Sequence, residues 1–144
     1  MRTYCYILLI IILTVAFLSL PALAGPGTHP FDVKDLVTLK RLCDPGMSPS
    51  GSQIVFSLRE TNLEENQGFS NLWLTDADGE GLKQLTNNPA SDFNARWSPG
   101  GETIYFLSTR SGASQVWKIS SSGGEAEQVT DFPLDLGGLE ISPD

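Results

Sequence analysis

Histidine, cysteine and clustered base are what this 144-residue chain has least of, and each scarcity removes a class of function. The single histidine, His29, stands in a Gly/Pro-rich stretch, and a catalytic base needs an orienting partner. It is expected at the surface without a catalytic role. Of the two cysteines, Cys5 falls in an apolar leader, which leaves Cys43 alone. A lone thiol closes no internal disulfide, and Cys43 with His29 makes no zinc site. Cys43 is expected in the core, where free cysteines usually lie. Nine Lys and Arg face 17 Asp and Glu, for a net charge of −8. Without a basic cluster, nucleic acid is excluded as a partner. The sequence also lacks the G-x-S-x-G elbow of an α/β-hydrolase. Ser48 lies in Gly46-Met47-Ser48-Pro49-Ser50, which has no second glycine and puts proline where an oxyanion N–H is needed. No catalytic residue, metal ligand, cofactor-binding residue or cofactor is therefore assigned.

Long apolar runs are confined to the first 24 residues. Arg2 precedes the run from Tyr6 to Leu20, which leads into Pro21-Ala22-Leu23-Ala24. Small residues at Ala22 and Ala24 fit a cleavage site, and the run is short of the roughly 20 residues a membrane span requires. Residues 1–24 are expected to be a signal peptide, with an uncleaved anchor as the alternative. Either places the protein outside the cytoplasm, in the periplasm or secreted.

The remainder is organised by three landmarks: Met47-Ser48-Pro49-Ser50-Gly51, Trp97-Ser98-Pro99-Gly100-Gly101 and Ile141-Ser142-Pro143-Asp144. Ser48 to Ser98 is 50 residues and Ser98 to Ser142 is 44. Within each repeat the later offsets are constant, since Trp73 to Thr86 and Trp117 to Thr130 both span 13 residues. The six-residue excess falls in the polar stretch Glu60–Gly68 and reads as a loop insertion. A period near 40–45 residues marks stacked or radial repeats, with propeller blades foremost. Each repeat reads as four strands. In the second of them Ile104 and Phe106 alternate with Tyr105 and Leu107, so both faces are covered, as in a blade between blades. The expected fold is all-β, an incomplete β-propeller of about two four-stranded blades and the start of a third, over residues 44–144. Residues 25–43 form a lead containing a short helix, with Asp32 as N-cap, Asp35 in the first turn and Val33, Leu36 and Val37 on one face. Asp44-Pro45-Gly46 reads as a turn.

Several residues invite functional readings. Trp73, Trp97 and Trp117 recur at repeat positions and are read as packing between blades. Arg110 is read as structural, pairing with a neighbouring blade or capping its turn. Glu64 and Glu65 are read as a solvated loop pair. Asp76-Ala77-Asp78-Gly79-Glu80-Gly81 mimics a calcium loop but carries Asn87 where the bidentate acid belongs, so it reads as a turn.

Ser98-Pro99-Gly100-Gly101, Ser108-Thr109-Arg110-Ser111-Gly112, Val116-Trp117, Gly123-Gly124-Glu125 and Gln128-Val129-Thr130 resemble exported propeller repeats. Such repeats occur in TolB-type proteins and in prolyl oligopeptidase (S9) family serine peptidases. Phe31, Asp35-Leu36-Val37, Leu39, Arg41, Asp44-Pro45 and Ser48-Pro49 resemble the N-terminal entry of dipeptidyl/acylaminoacyl peptidases of the second group. The resemblance implies a non-catalytic propeller portion, truncated at Asp144, that gates peptide access to an α/β-hydrolase domain not contained in this chain. Peptide substrates would then be met only through that missing domain, and the chain alone would be inactive. A TolB-type envelope interaction module is the alternative. Two blades with open edges are expected to self-associate.

Overall fold

The computed structural model describes residues 29–142, so the leader expected over 1–24 and most of the Gly/Pro lead lie outside the described residues. Residues from Asp32 onward form one compact unit, to which the following description is confined.

Helix α1 (Val33–Thr38) forms where the capping residues place it. The Asp32 carboxylate accepts from the N–H groups of Lys34 at 2.8 Å and Asp35 at 3.0 Å, and Asp35 accepts from the Asp32 N–H at 2.9 Å. This reciprocal capping box satisfies donors that a helix start otherwise leaves unpaired. The apolar face of Val33, Leu36 and Val37 remains exposed.

Eight strands follow in two antiparallel four-stranded sheets, each in sequential order. The first contains β1 (Arg41–Met47), β2 (Gln53–Asn62), β3 (Gln67–Asp76) and β4 (Lys83–Gln84). The second contains β5 (Asp92–Trp97), β6 (Thr103–Ser111), β7 (Ala113–Ser120) and β8 (Glu127–Gln128). The sheets pack face to face through Val55, Leu72, Leu74 and Leu85 of the first repeat and Ala95, Trp97, Ile104, Phe106 and Ile119 of the second. Ile104, Phe106 and Leu107 are fully buried, so β6 is covered on both faces, as its alternation requires. These are two blades of an unclosed β-propeller.

The recurring motifs are hydrogen-bonding devices. At the first two Ser-Pro landmarks the serine hydroxyl accepts from the N–H five residues on, Ser48 from Gln53 at 3.0 Å and Ser98 from Thr103 at 3.2 Å. The turn closes through Gly51 (φ 74°) and Gly101 (φ 81°), in the left-handed region that glycine enters at little cost. At each Gln-x-Thr motif the threonine hydroxyl accepts from the third strand, Thr86 from Leu72 N–H and Thr130 from Val116 N–H, both at 2.9 Å. Gln84 and Gln128 donate to the carbonyls of those same threonines at 2.9 and 2.7 Å. The motif thereby holds outer strands only two residues long, which a ladder alone would not fix.

Three expectations are corrected. Asp44-Pro45-Gly46 is a bulge within β1 rather than a turn: the pairing with β2 shifts between Cys43 and Gly46, with Asp44 at φ 50°. The same shift recurs between Phe93 and Arg96, with Asn94 at φ 53°. Asp and Asn tolerate this conformation, and a bulge accommodates a proline that cannot join a ladder. The six extra residues do not loop out. They lengthen the hairpin, because Thr61↔Gly68 and Asn62↔Gln67 continue the β2–β3 pairing. Asn62 then closes the turn by accepting from Glu64 and Glu65 N–H groups at 3.0 and 3.3 Å. Finally, Cys43 is exposed rather than buried: Arg41 to Pro45 of β1 are all exposed, whereas the equivalent strand β5 buries Asp92, Ala95 and Trp97.

The expected start of a third blade forms no strand among the described residues. It is nonetheless tied to the second blade. Asp135 accepts from Ser114 N–H at 2.6 Å, Leu136 N–H donates to Ser114 carbonyl at 2.9 Å, and Leu139 N–H donates to Asn94 Oδ1 at 2.7 Å.

Candidate functional site

Three serines of the turns and strands have structural hydrogen bonds. Ser48 and Ser98 accept from backbone in the landmark turns, and Ser57 donates to the Cys43 carbonyl at 3.2 Å. His29 is exposed and belongs to the N-terminal unit. Nothing described amounts to a nucleophile held by a base.

The most concentrated chemistry lies around Arg110, in the second blade. Its Nη2 donates to Asp92 Oδ2 at 2.7 Å and its Nε to Ser108 Oγ at 2.9 Å. The guanidinium also stacks over the Trp117 ring at 4.7 Å and near the Phe106 ring at 5.6 Å. Asp92 is fully buried, and the Arg110 side chain is only 17% exposed. A carboxylate is tolerated at that depth only with such a partner. Asp92 Oδ1 and Trp117 Nε1 have no hydrogen-bond partner among the described residues. Arg110 therefore pairs within its own blade, not across to a neighbour. Asp92 was missed by sequence reasoning, although a signal existed. The first repeat has Leu42 and Glu60 at the positions of Asp92 and Arg110, so acid and base are present together or absent together.

Trp97 joins the blades directly, donating from Nε1 to the Gly46 carbonyl in the β1 bulge at 2.9 Å. Beside it a cleft of about 460 Å³ opens between successive landmark turns, lined by Gly46, Met47, Trp97, Pro99 and Ile141 among others. At its edge Arg96 holds Glu140 through Nη2–Oε1 at 3.0 Å and Nε–Oε2 at 3.4 Å. That hydrogen bond and the Arg96 charge lower the Glu140 pKa below its ordinary value.

The other singled-out residues take their structural roles. Glu64 and Glu65 are exposed on the β2–β3 turn. Asp76–Gly81 is a turn closed by Asp76 N–H to the Glu80 carbonyl and by Glu80 N–H to Asp78 Oδ1, both at 2.9 Å. Trp97 and Trp117 belong to or pack against the inter-blade core, while Trp73 is half-buried opposite Phe56.

Two bulged, Ser-Pro-turned blades packed face to face define a segment of an unclosed β-propeller. The chain belongs to the TolB β-propeller domain family (PD40), which matches residues 37–137. Over 111 residues it is 32% identical to the uncharacterized peptidase YuxL of Bacillus subtilis, covering 76% of this chain and 17% of that protein. Over 109 residues it is 30% identical to dipeptidyl-peptidase 5 of Porphyromonas endodontalis, covering 76% of this chain and 16% of that one. The chain thus spans about a sixth of the length of the curated relatives it matches. Among solved structures, the acylaminoacyl peptidase of Pyrococcus horikoshii superposes with a TM-score of 0.64 at 22% identity, over 80% of this chain and 17% of that one. That likeness establishes the fold.

Proposed function

We propose that this chain is the propeller portion of an exported serine peptidase of the prolyl oligopeptidase type, and that it restricts which peptides reach an α/β-hydrolase domain. The observation carrying this reading is that its curated relatives are peptidases, each aligned to about three quarters of the chain. The scaffold character of Ser48, Ser98 and Arg110 supports it, since none is left free for chemistry. Export rests on the apolar leader read from the sequence. No described helix is long and apolar enough to cross a membrane.

The test is substrate size. The intact gene product, purified from its source, should cleave chromogenic dipeptide and acylaminoacyl substrates and leave a folded protein of similar sequence content untouched. Equal cleavage of both would remove the gating role. A product that cleaves neither, yet captures an envelope protein partner, would favour a TolB-type interaction module.

A further inference from the structure

We infer that the seam beyond the second blade is the joint at which this propeller parts, while the two described blades move as one body. The repeat allows one seam to be compared with the next, since Lys83, Thr86 and Trp97 recur as Glu127, Thr130 and Ile141. The first seam is fastened at two places. At its inner end Trp97 Nε1 donates to the Gly46 carbonyl at 2.9 Å. At its outer rim the Lys83 ammonium donates to the Ser122 carbonyl in the β7–β8 turn, beside Gly123, where a Cβ would lie 2.9 Å from Nζ. Between these fastenings Val55, Leu72, Leu74 and Leu85 are buried in the inter-blade core.

The far face of the second blade carries other residue types at these positions. Ile141, in the place of Trp97, has no side-chain donor. Glu127, in the place of Lys83, can only accept, and Lys118 of its own blade already holds it at 3.1 Å. Tyr105, Val116, Lys118 and Val129 replace the four core residues, so a lysine stands where Leu74 is 4% exposed. Burying a charge in a blade interface is costly, and this seam cannot close as an apolar one. These are differences of residue type, so they hold whatever packs there. The contacts that do cross this seam are polar. Asn94 Oδ1 accepts from Leu139 N–H at 2.7 Å, and Arg96 pairs with Glu140, whose side chain is 84% exposed. Exposed ion pairs hold little and weaken with salt. As a route for peptides, which rests on the peptidase reading, the seam admits them laterally between blades.

Hydrogen exchange of the intact gene product tests the seam itself. Amide protection over residues 135–141 should be at least roughly tenfold below that over the equivalent residues 91–97. It should fall further with salt, while protection over 91–97 stays constant. Arg96→Gln should lower it by about threefold more. Lys83→Met should instead loosen the first seam, seen as faster exchange over 120–126. Equal or greater protection over 135–141, or no response there to Arg96→Gln, overturns the seam. Passage is read separately. Arg96→Gln should raise kcat/KM for a ten-residue peptide by about threefold and leave that for a dipeptide unchanged. The same effect on both substrates, or on neither, overturns passage through the seam. Turnover with equal protection of the two segments overturns the seam alone. Unequal protection without turnover overturns the peptidase reading alone.

Discussion

The two blades share a plan and differ in how they are anchored. Both have the Ser-Pro turn, the left-handed bulge residue and the Gln-x-Thr lock. Only the second has the buried Asp92–Arg110 pair and Trp97 reaching into its neighbour. The first has Leu42, Glu60 and Met47 at those positions, with Leu42 and Met47 exposed. The shared devices build a blade from local hydrogen bonds. The unshared ones fix a blade against what it packs on, so they need not recur in every copy.

The largest effect expected from this contrast follows loss of one partner of the buried pair. Asp92→Ala should cost about 3 kcal/mol or more in urea denaturation, because it strands a largely buried guanidinium. Leu42→Ala at the equivalent exposed position should stay within about 0.5 kcal/mol. Asp92→Leu with Arg110→Leu should cost less than the single change, since both charges leave together. A double variant as unstable as Asp92→Ala would mean that the pair contributes more than its own neutralisation.

Next in size is the inter-blade tryptophan. Trp97→Met installs the residue of the first blade and should cost about 2–3 kcal/mol through lost packing and the lost bond to Gly46. Met47→Trp should be near neutral, and a matching loss there would erase the distinction between the blades. Thr86→Val and Thr130→Val should each cost about 1 kcal/mol, read in the same denaturation experiment. Unequal costs would show that the lock is not equivalent in the two copies.

The smallest effect concerns Arg96 and Glu140. The folded-state pKa of Glu140 is lowered, first by the hydrogen bond from Arg96 and then by its charge. Its contribution is therefore present above the unfolded pKa and lost as pH falls through the folded one. Arg96→Gln should lower Tm slightly at pH 7, and the difference from the parent should vanish in acid. A difference independent of pH would assign the effect to packing.

The repeat plan was legible because its devices are local. Ser-Pro-x-Gly, Gln-x-Thr and the Asp32–Asp35 capping box each act within a few residues, and their spacing survives in the sequence. What was not legible depended on neighbours. Cys43 is read as a core residue from its type alone, yet the stretch of β1 that carries it packs, among the described residues, against no other element on either face and is exposed throughout from Arg41 to Pro45. The insertion reads as a loop because Glu60–Gly68 is polar, yet polar residues continue a ladder where the partner strand is as long, here to Asn62↔Gln67. Asp92 gave no local signal, since its partner lies 18 residues on and across a strand pair.

The account rests on these blades being scaffold for chemistry carried elsewhere in the gene product. Fluorophosphonate labelling of that product, followed by peptide mapping, tests this most directly. The account predicts one labelled serine, outside residues 29–142, with Ser48, Ser98 and Ser108 unmodified. A labelled serine within the blades, or a product that takes up no label, would contradict it.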